Sequence, residues 1–217
     1  MNSYEILRHI DHTCLDPYAT WDQIKSLCDE AIQYQTASIC IPPCYVQRVK
    51  QQYGEQIPIC TVIGFPLGYS TTASKLLEAQ QAIADGASEI DMVINICDVK
   101  NGNFAAIQSE IAQVKQTIGS HILKVIVETC YLSQQEKILM CQVVTDAQAD
   151  YIKTSTGFGS AGAKLEDIAL FQQHIGPGVQ IKAAGGIRTI EDLEAFLHAG
   201  CQRIGSSSAV ALLTHKK

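Results

Sequence analysis

Short apolar runs alternate with longer amphipathic stretches along this whole sequence, and that alternation leaves few folds open. Eight strand-like runs fall near residues 9–13, 38–41, 58–63, 89–95, 123–128, 151–154, 179–183 and 203–205. Helix-like stretches lie between them. "TWDQIKSLCDEAIQY" puts Ile24, Leu27, Cys28 and Ile32 on one face, the spacing of an amphipathic helix. "TTASKLLEAQQAIADGA", "NGNFAAIQSEIAQVKQTIG" and "TIEDLEAFLHAG" follow the same pattern, each stretch with a polar start and a glycine end, Gly86, Gly119 and Gly200 acting as stops. Strand–helix alternation with short links implies a parallel sheet. Eight units of roughly 25 residues suit a closed barrel better than an open sheet. The open doubly wound sheet usually carries GxGxxG after its first strand, and here "HIDHTCLDP" stands there instead. No linker, low-complexity tract or composition break interrupts the chain. The reading is an α/β protein, a single (β/α)8 TIM barrel over residues 1–217.

Composition narrows the function. Hydrophobic residues make up 47% and charged residues 18% of the 217, enough apolar matter for a large core and too much for disorder. The net charge is −6, which argues against a nucleic-acid partner but not against a small anionic ligand. The N-terminal "MNSYEILRHIDHT" has no signal-peptide pattern, and no stretch reaches membrane-span length, so a soluble cytoplasmic protein without a membrane partner is expected. The nine cysteines are scattered, with no CxxC pair. They read as small core hydrophobes in a reducing compartment. "CIPPC" reads as a strand end and turn, and Trp21 as a helix-start anchor. The histidines lack metal-ligand spacing, and no metal or other cofactor is expected.

The strands carry the chemistry. Alternate strand side chains point to opposite faces. Glu89, Asp91, Val93 and Asn95 share one face, against Ile90, Met92 and Ile94. Lys124, Ile126 and Glu128 oppose Val125 and Val127, while Lys153 and Lys182 oppose Ile152 and Ile181. The apolar face suits a helix layer, and the charged face suits a barrel interior opening at the carboxyl ends of the strands. A lone lysine there is ordinarily salt-bridged, and Lys124 is read so, with Glu128 or Asp91 as partner. Lys153 and Lys182 differ because they occupy matching places on successive strands, about 4.8 Å apart. Two ammonium groups that close repel, and burial also favours the neutral amine. A neutral lysine attacks carbonyls to form a Schiff base, and Asp91 could shuttle protons.

Three Gly- or Ser-rich loops follow the last strands: "TSTGFG", "AAGGIR" and "IGSSS". They are either tight turns or a phosphate cradle made of backbone amides, hydroxyls and a helix start near Ser206–Ser208.

Taken together, "EIDMVIN", "YIKTSTGFG", "KAAGGIRT" and "RIGSSS", with the softer "IDHTCL", "TVIGFPLG" and "KVIVETC", resemble the deoxyribose-phosphate aldolase family of class I (Schiff-base) aldolases. The resemblance covers nearly the whole chain. It implies Lys153 as the Schiff-base lysine, Lys182 as the lysine that tunes it and joins proton transfer, and Asp91 as the proton relay. It implies phosphate contacts at Gly157, Gly185, Gly186, Gly205, Ser206 and Ser207, and a sugar end lined by Asp11, Thr13, Cys40 and Thr156. The implied reaction is reversible cleavage of 2-deoxy-D-ribose 5-phosphate to acetaldehyde and D-glyceraldehyde 3-phosphate, in deoxynucleoside salvage, with phosphosugar and aldehyde as partners and a homo-oligomer left open. Some members have a lysine where Phe158 stands, so more of the phosphate's charge would fall to backbone amides and Arg188. Others carry a C-terminal tyrosine tail; this sequence reads "LLTHKK" there, and that assistance is not expected. Cys97 stands where the family usually has glycine. Two alternatives stay open: a phosphosugar isomerase or epimerase on the same barrel, and a non-catalytic phosphosugar-binding barrel.

Overall fold

The computed structural model describes residues 1–214; residues 215–217, and with them the end of "LLTHKK" and the expectation about a C-terminal tail, lie outside the described residues. A short helix α1 (Ser3–Leu7) leads into β1 (Ile10–Thr13), α2 (Trp21–Tyr34), β2 (Ser38–Ile41) and α3 (Val46–Tyr53). Then come β3 (Ile59–Ile63), α4 (Thr72–Ala84), β4 (Glu89–Val93), α5 (Ile96–Lys100), α6 (Phe104–Ile118) and β5 (Ile122–Ile126). The chain continues through α7 (Gln134–Asp146), β6 (Tyr151–Lys153), α8 (Leu165–His174), β7 (Gln180–Ala184), α9 (Ile190–His198), β8 (Arg203–Ser206) and α10 (Ala209–Thr214). The eight strands close in sequence order into a parallel barrel. This is the (β/α)8 fold. No described helix is long and apolar enough to cross a membrane.

Local chemistry sets the helix ends. Thr20, Ser133 and Thr189 each accept a hydrogen bond from the amide three residues on, and the side chain at that position returns the bond. Such capping boxes satisfy amides that have no partner within the helix. Trp21 does start α2. Gly86, Gly119 and Gly200 follow their helices at positive φ, but α2 stops without a glycine: Gln35 takes the left-handed conformation itself, at φ 54°. "CIPPC" is the end of β2 and a 3-10 turn, Pro43–Tyr45.

Strand alternation builds two layers. Ile10, Ile39, Ile41, Ile90, Met92, Leu123, Val125, Ile152, Ile181 and Ile204 are buried among the helices in the main core. Inside the barrel, the apolar matter is a small cluster of Cys40, Cys60 and Val62, with Leu15 and Phe65 packed on it. Charged side chains occupy much of the rest of the interior face, beside Val93, Ile126 and Tyr151. Two strands end earlier than the alternation implied. Beyond β4, Asn95 caps α5 through its side chain. Beyond β5, Glu128 turns left-handed at φ 53°. These two residues therefore leave the interior face on which the pattern placed them.

Candidate active site

Register brings the interior charges together on neighbouring strands. Asp91 lies opposite Lys124, Ile126 opposite Lys153, Lys153 opposite Lys182, and Lys182 opposite Arg203. Asp91 is the hub. Its Oδ2 accepts hydrogen bonds from Lys153 Nζ and Lys182 Nζ, both at 2.7 Å. Its Oδ1 accepts from Lys124 Nζ at 2.9 Å and from the Cys60 thiol at 3.1 Å. Lys124 also pairs with Glu89 at 2.6 Å. Lys182 and Arg203 pair with Asp11, which accepts a further bond from Ser38 Oγ at 2.6 Å. Arg203 reaches Glu89 at 2.9 Å. Lys124 is thus salt-bridged as expected, through Asp91 but not Glu128.

Opposed forces fix these charge states. Burial pushes the Asp91 carboxyl up, yet Lys124, Lys153 and Lys182 together hold it well below the usual carboxylate range. Asp11 is likewise held low, by Lys182, Lys124 and Arg203 against the cost of burial. Burial pulls Lys182 down, and Asp11 and Asp91 more than reverse it, so this ammonium stays protonated. Lys124 is raised in the same way, chiefly by Asp91. Three carboxylates (Asp11, Glu89 and Asp91) face four cationic side chains (Lys124, Lys153, Lys182 and Arg203). Fully ionised, the cluster carries one excess positive charge.

Lys153 is placed differently from the other cations. It is 3% exposed where Lys124 and Lys182 are 0%, and its only described carboxylate partner is Asp91. It forms the floor of a cavity of about 540 Å³ at the carboxyl ends of the strands. Thr13, Thr156, Gly157, Gly185, Gly186, Gly205, Ser206 and Ser207 also line that cavity, as do Phe158 and Arg188. Asp91, Lys182, Asp11 and Cys40 are fully buried and lie outside its lining, so Asp11 and Cys40 sit beneath the expected sugar end instead of on its wall. Asp11 is spent on its ion pairs. Thr13 Oγ1 donates to the Asp11 carbonyl at 2.7 Å.

Two adjacent glycines, Gly185 and Gly186, have φ of 82° and 77°, a conformation costly for other residues. The hydroxyl of Ser206 accepts the amides of Ser208 and Ala209 at 3.2 and 3.1 Å and so also caps the start of α10. Phe158 packs edge-on against Phe65, with ring centroids 5.4 Å apart.

Sequence reasoning missed three parts of the site. Strand alternation put Glu89 on the interior face, but its pairing with Lys124 and Arg203, and the place of Arg203 itself, come from register, which no local motif announces. Gly162 is the third: a β-carbon there would stand 2.1 Å from the Gly185 carbonyl oxygen, so the loops after β6 and β7 touch backbone to backbone. The cysteine reading also needs correction. All nine are free, but Cys44 and Cys97 are exposed, and Cys40 and Cys60 lie in the barrel interior. Facing each other across β2 and β3, those two bring their sulfurs and an Asp91 oxygen within 4.8 Å of one another. This is a donor cluster that scattered sequence positions conceal. A cation there would compete with three ammonium groups for Asp91.

A closed (β/α)8 barrel whose cavity floor is a lysine, backed by a buried carboxylate and a second ammonium, has the build of a barrel enzyme with its site at the carboxyl ends of the strands. Comparison with known proteins gives the family. The DeoC/LacD family aldolase model matches residues 6–214, and the chain belongs to that family. It is 62% identical over 213 residues to the deoxyribose-phosphate aldolase of Clostridium botulinum (strain Alaska E43 / Type E3), covering 98% of this chain and 96% of that one. It is 53% identical over 211 residues to the enzyme of that name from Clostridioides difficile (strain 630), covering 97% and 96%. Among solved structures, the deoxyribose phosphate aldolase of Aeropyrum pernix, described as having a unique tetrameric structure, superposes with a TM-score of 0.89 at 30% identity, covering 98% of this chain and 91% of that one.

Proposed function

We propose that residues 1–217 form one catalytic unit, a class I aldolase that reversibly cleaves 2-deoxy-D-ribose 5-phosphate to acetaldehyde and D-glyceraldehyde 3-phosphate. The observation that carries the reading is the position of Lys153, the one lysine of the buried cluster that opens on the cavity. Its amine attacks C1 of the open-chain sugar, and loss of water gives an iminium ion. The C2–C3 bond then breaks as the C3 hydroxyl loses its proton. The electron pair moves into the iminium, leaving a two-carbon enamine on Lys153 and releasing the three-carbon phosphate. Protonation of the enamine at carbon and hydrolysis release acetaldehyde and restore the amine. Asp91 Oδ2, shared by Lys153 and Lys182, is the oxygen through which protons pass. Lys182, held protonated, supplies the neighbouring positive charge.

The loops around Gly157, Gly185, Gly186, Gly205, Ser206 and Ser207 take the phosphate, with Arg188 as the added cation. Thr13 and Thr156 line the sugar end, with Asp11 and Cys40 beneath. The names of the relatives support the substrate, and the tetrameric relative supports a homo-oligomer. A soluble cytoplasmic enzyme of deoxynucleoside salvage fits this chemistry.

The test is the retro-aldol assay on 2-deoxyribose 5-phosphate. Acetaldehyde and glyceraldehyde 3-phosphate should appear in equal amounts. A five-carbon isomer or epimer as the product, or binding without turnover, would replace the reading with one of its rivals.

A further inference from the structure

Glu128 is an anomaly among the buried charges. Every other buried carboxylate, ammonium or guanidinium among the described residues forms an ion pair, from the Lys75–Glu110 and Lys137–Asp167 pairs to the central cluster. Glu128 is 2% exposed, and its recorded partners are all neutral. Its two oxygens accept the Thr156 amide at 3.2 and 3.3 Å. One oxygen also accepts the Thr156 hydroxyl, and the Cys130 thiol makes a weak contact at 3.8 Å. The Thr156 oxygen in turn accepts the Phe158 amide at 3.0 Å. Glu128 does this from a left-handed backbone, φ 53° and ψ 67°, which a non-glycine residue adopts only at a cost. Burying a carboxylate without a cation costs more.

The surroundings show what the carboxylate holds. The Val127 and Thr129 amides donate to the Lys153 and Thr154 carbonyls at 3.0 and 2.9 Å, so Glu128 is clamped beside the end of β6. A β-carbon at Gly159 would lie 3.0 Å from the Glu128 carboxyl carbon and 2.8 Å from Cys130 Sγ. The loop therefore presses against this side chain. Residues 156–158 line the cavity, three to five residues beyond Lys153.

We propose that Glu128 is a positioning residue: its carboxylate latches the loop after β6 through Thr156, and so fixes Gly157 and Phe158 at the phosphate end of the substrate. This rests on the functional reading above for its substrate, but not for the latch itself.

The experiment uses the full chain with E128Q, T156V and the double variant. An amide in place of the carboxylate sets an NH2 against two donors and loses at least one charge-assisted hydrogen bond. Hydrogen exchange of the amides at 156–159, measured without substrate, should quicken at least about tenfold in E128Q, one such bond's worth. KM for 2-deoxyribose 5-phosphate should rise by about the same factor while kcat changes less than about threefold. KM for unphosphorylated 2-deoxyribose should move little. The double variant should lose less than the two single losses combined, because the bond between the Thr156 hydroxyl and Glu128 is broken in both. T156V keeps the carboxylate and removes its hydroxyl partner, and exchange of the amide at position 156 alone, which should quicken, carries the test if E128Q folds poorly.

Unchanged exchange, additive effects, or equal losses on both sugars would overturn the latch. Wild-type protein that fails to cleave the phosphorylated sugar would instead overturn the functional reading, and exchange at 156–159 would still judge the latch.

Discussion

Lys153 differs from Lys124 and Lys182 by what surrounds its nitrogen. Those two are enclosed, and each holds at least two carboxylates. Lys153 holds one and meets the cavity. In K153A, turnover should fall by roughly 10⁴-fold or more, the scale of losing a covalent catalytic group, with circular dichroism unchanged. The measurement is steady-state cleavage of the phosphosugar; a loss under tenfold would assign the chemistry elsewhere. Activity should persist in EDTA, since the ammonium groups already occupy the carboxylate oxygens of the Cys40–Cys60–Asp91 cluster. Loss of activity in EDTA that zinc restores would contradict this. Asp91, Lys153 and Lys182 were legible in the sequence because strand parity and flanking glycines are local signals. Glu89 and Arg203 were not read as site residues, because their partners depend on the shear of a closed barrel, which no window of sequence contains.

At the scale of elements, the site is an agreement between loops after β6, β7 and β8. The Ala163 amide donates to the Ala184 and Gly185 carbonyls at 3.1 and 3.0 Å, and Gly162 lets the two backbones meet. A methyl at Gly162 collides with backbone, which cannot swing aside. G162A should cost about 1–3 kcal/mol, the range for overpacking, and lower the melting temperature by about 2–10 °C for a chain of this size. KM for the phosphorylated sugar should rise with it. Calorimetry and kinetics check both, and an unaltered Tm would mean that the loops part easily. S207E tests the phosphate end. Two like charges at about 4 Å repel by about 1–4 kcal/mol between water and a protein surface. KM for 2-deoxyribose 5-phosphate should therefore rise at least several-fold, and far more than KM for 2-deoxyribose. Equal losses on both sugars would mean that the loop after β8 does not meet the phosphate. The sequence announced these loops by composition. It could not announce that Thr156 turns to Glu128, because β5 stops two residues short of that glutamate and the alternation fails there.

The whole barrel is built around a charged interior, so its stability should follow pH in a defined way. Asp11 and Asp91 are depressed in the folded state. Their contribution is complete above the unfolded value of about 3.9 and is lost as pH falls through the lower folded values. Lys124 and Lys182 are raised. Their contribution is complete below about 10.4 and is lost as pH rises toward the folded values. The urea midpoint should be flat between about pH 5 and 9 and fall on both sides. D91N replaces the carboxylate shared by three ammonium groups with a neutral amide, so its alkaline decline should begin at lower pH than in the wild type. An identical alkaline limb would mean that Asp91 is not the hub of the cluster. The barrel itself was legible from eight strand–helix repeats. The most direct test of what the barrel does is borohydride reduction during turnover of 2-deoxyribose 5-phosphate, followed by peptide mass spectrometry. One reduced adduct should appear, on the peptide containing Lys153, and none should form in K153A. An adduct on Lys182, or full turnover with no trapped adduct, would contradict the account.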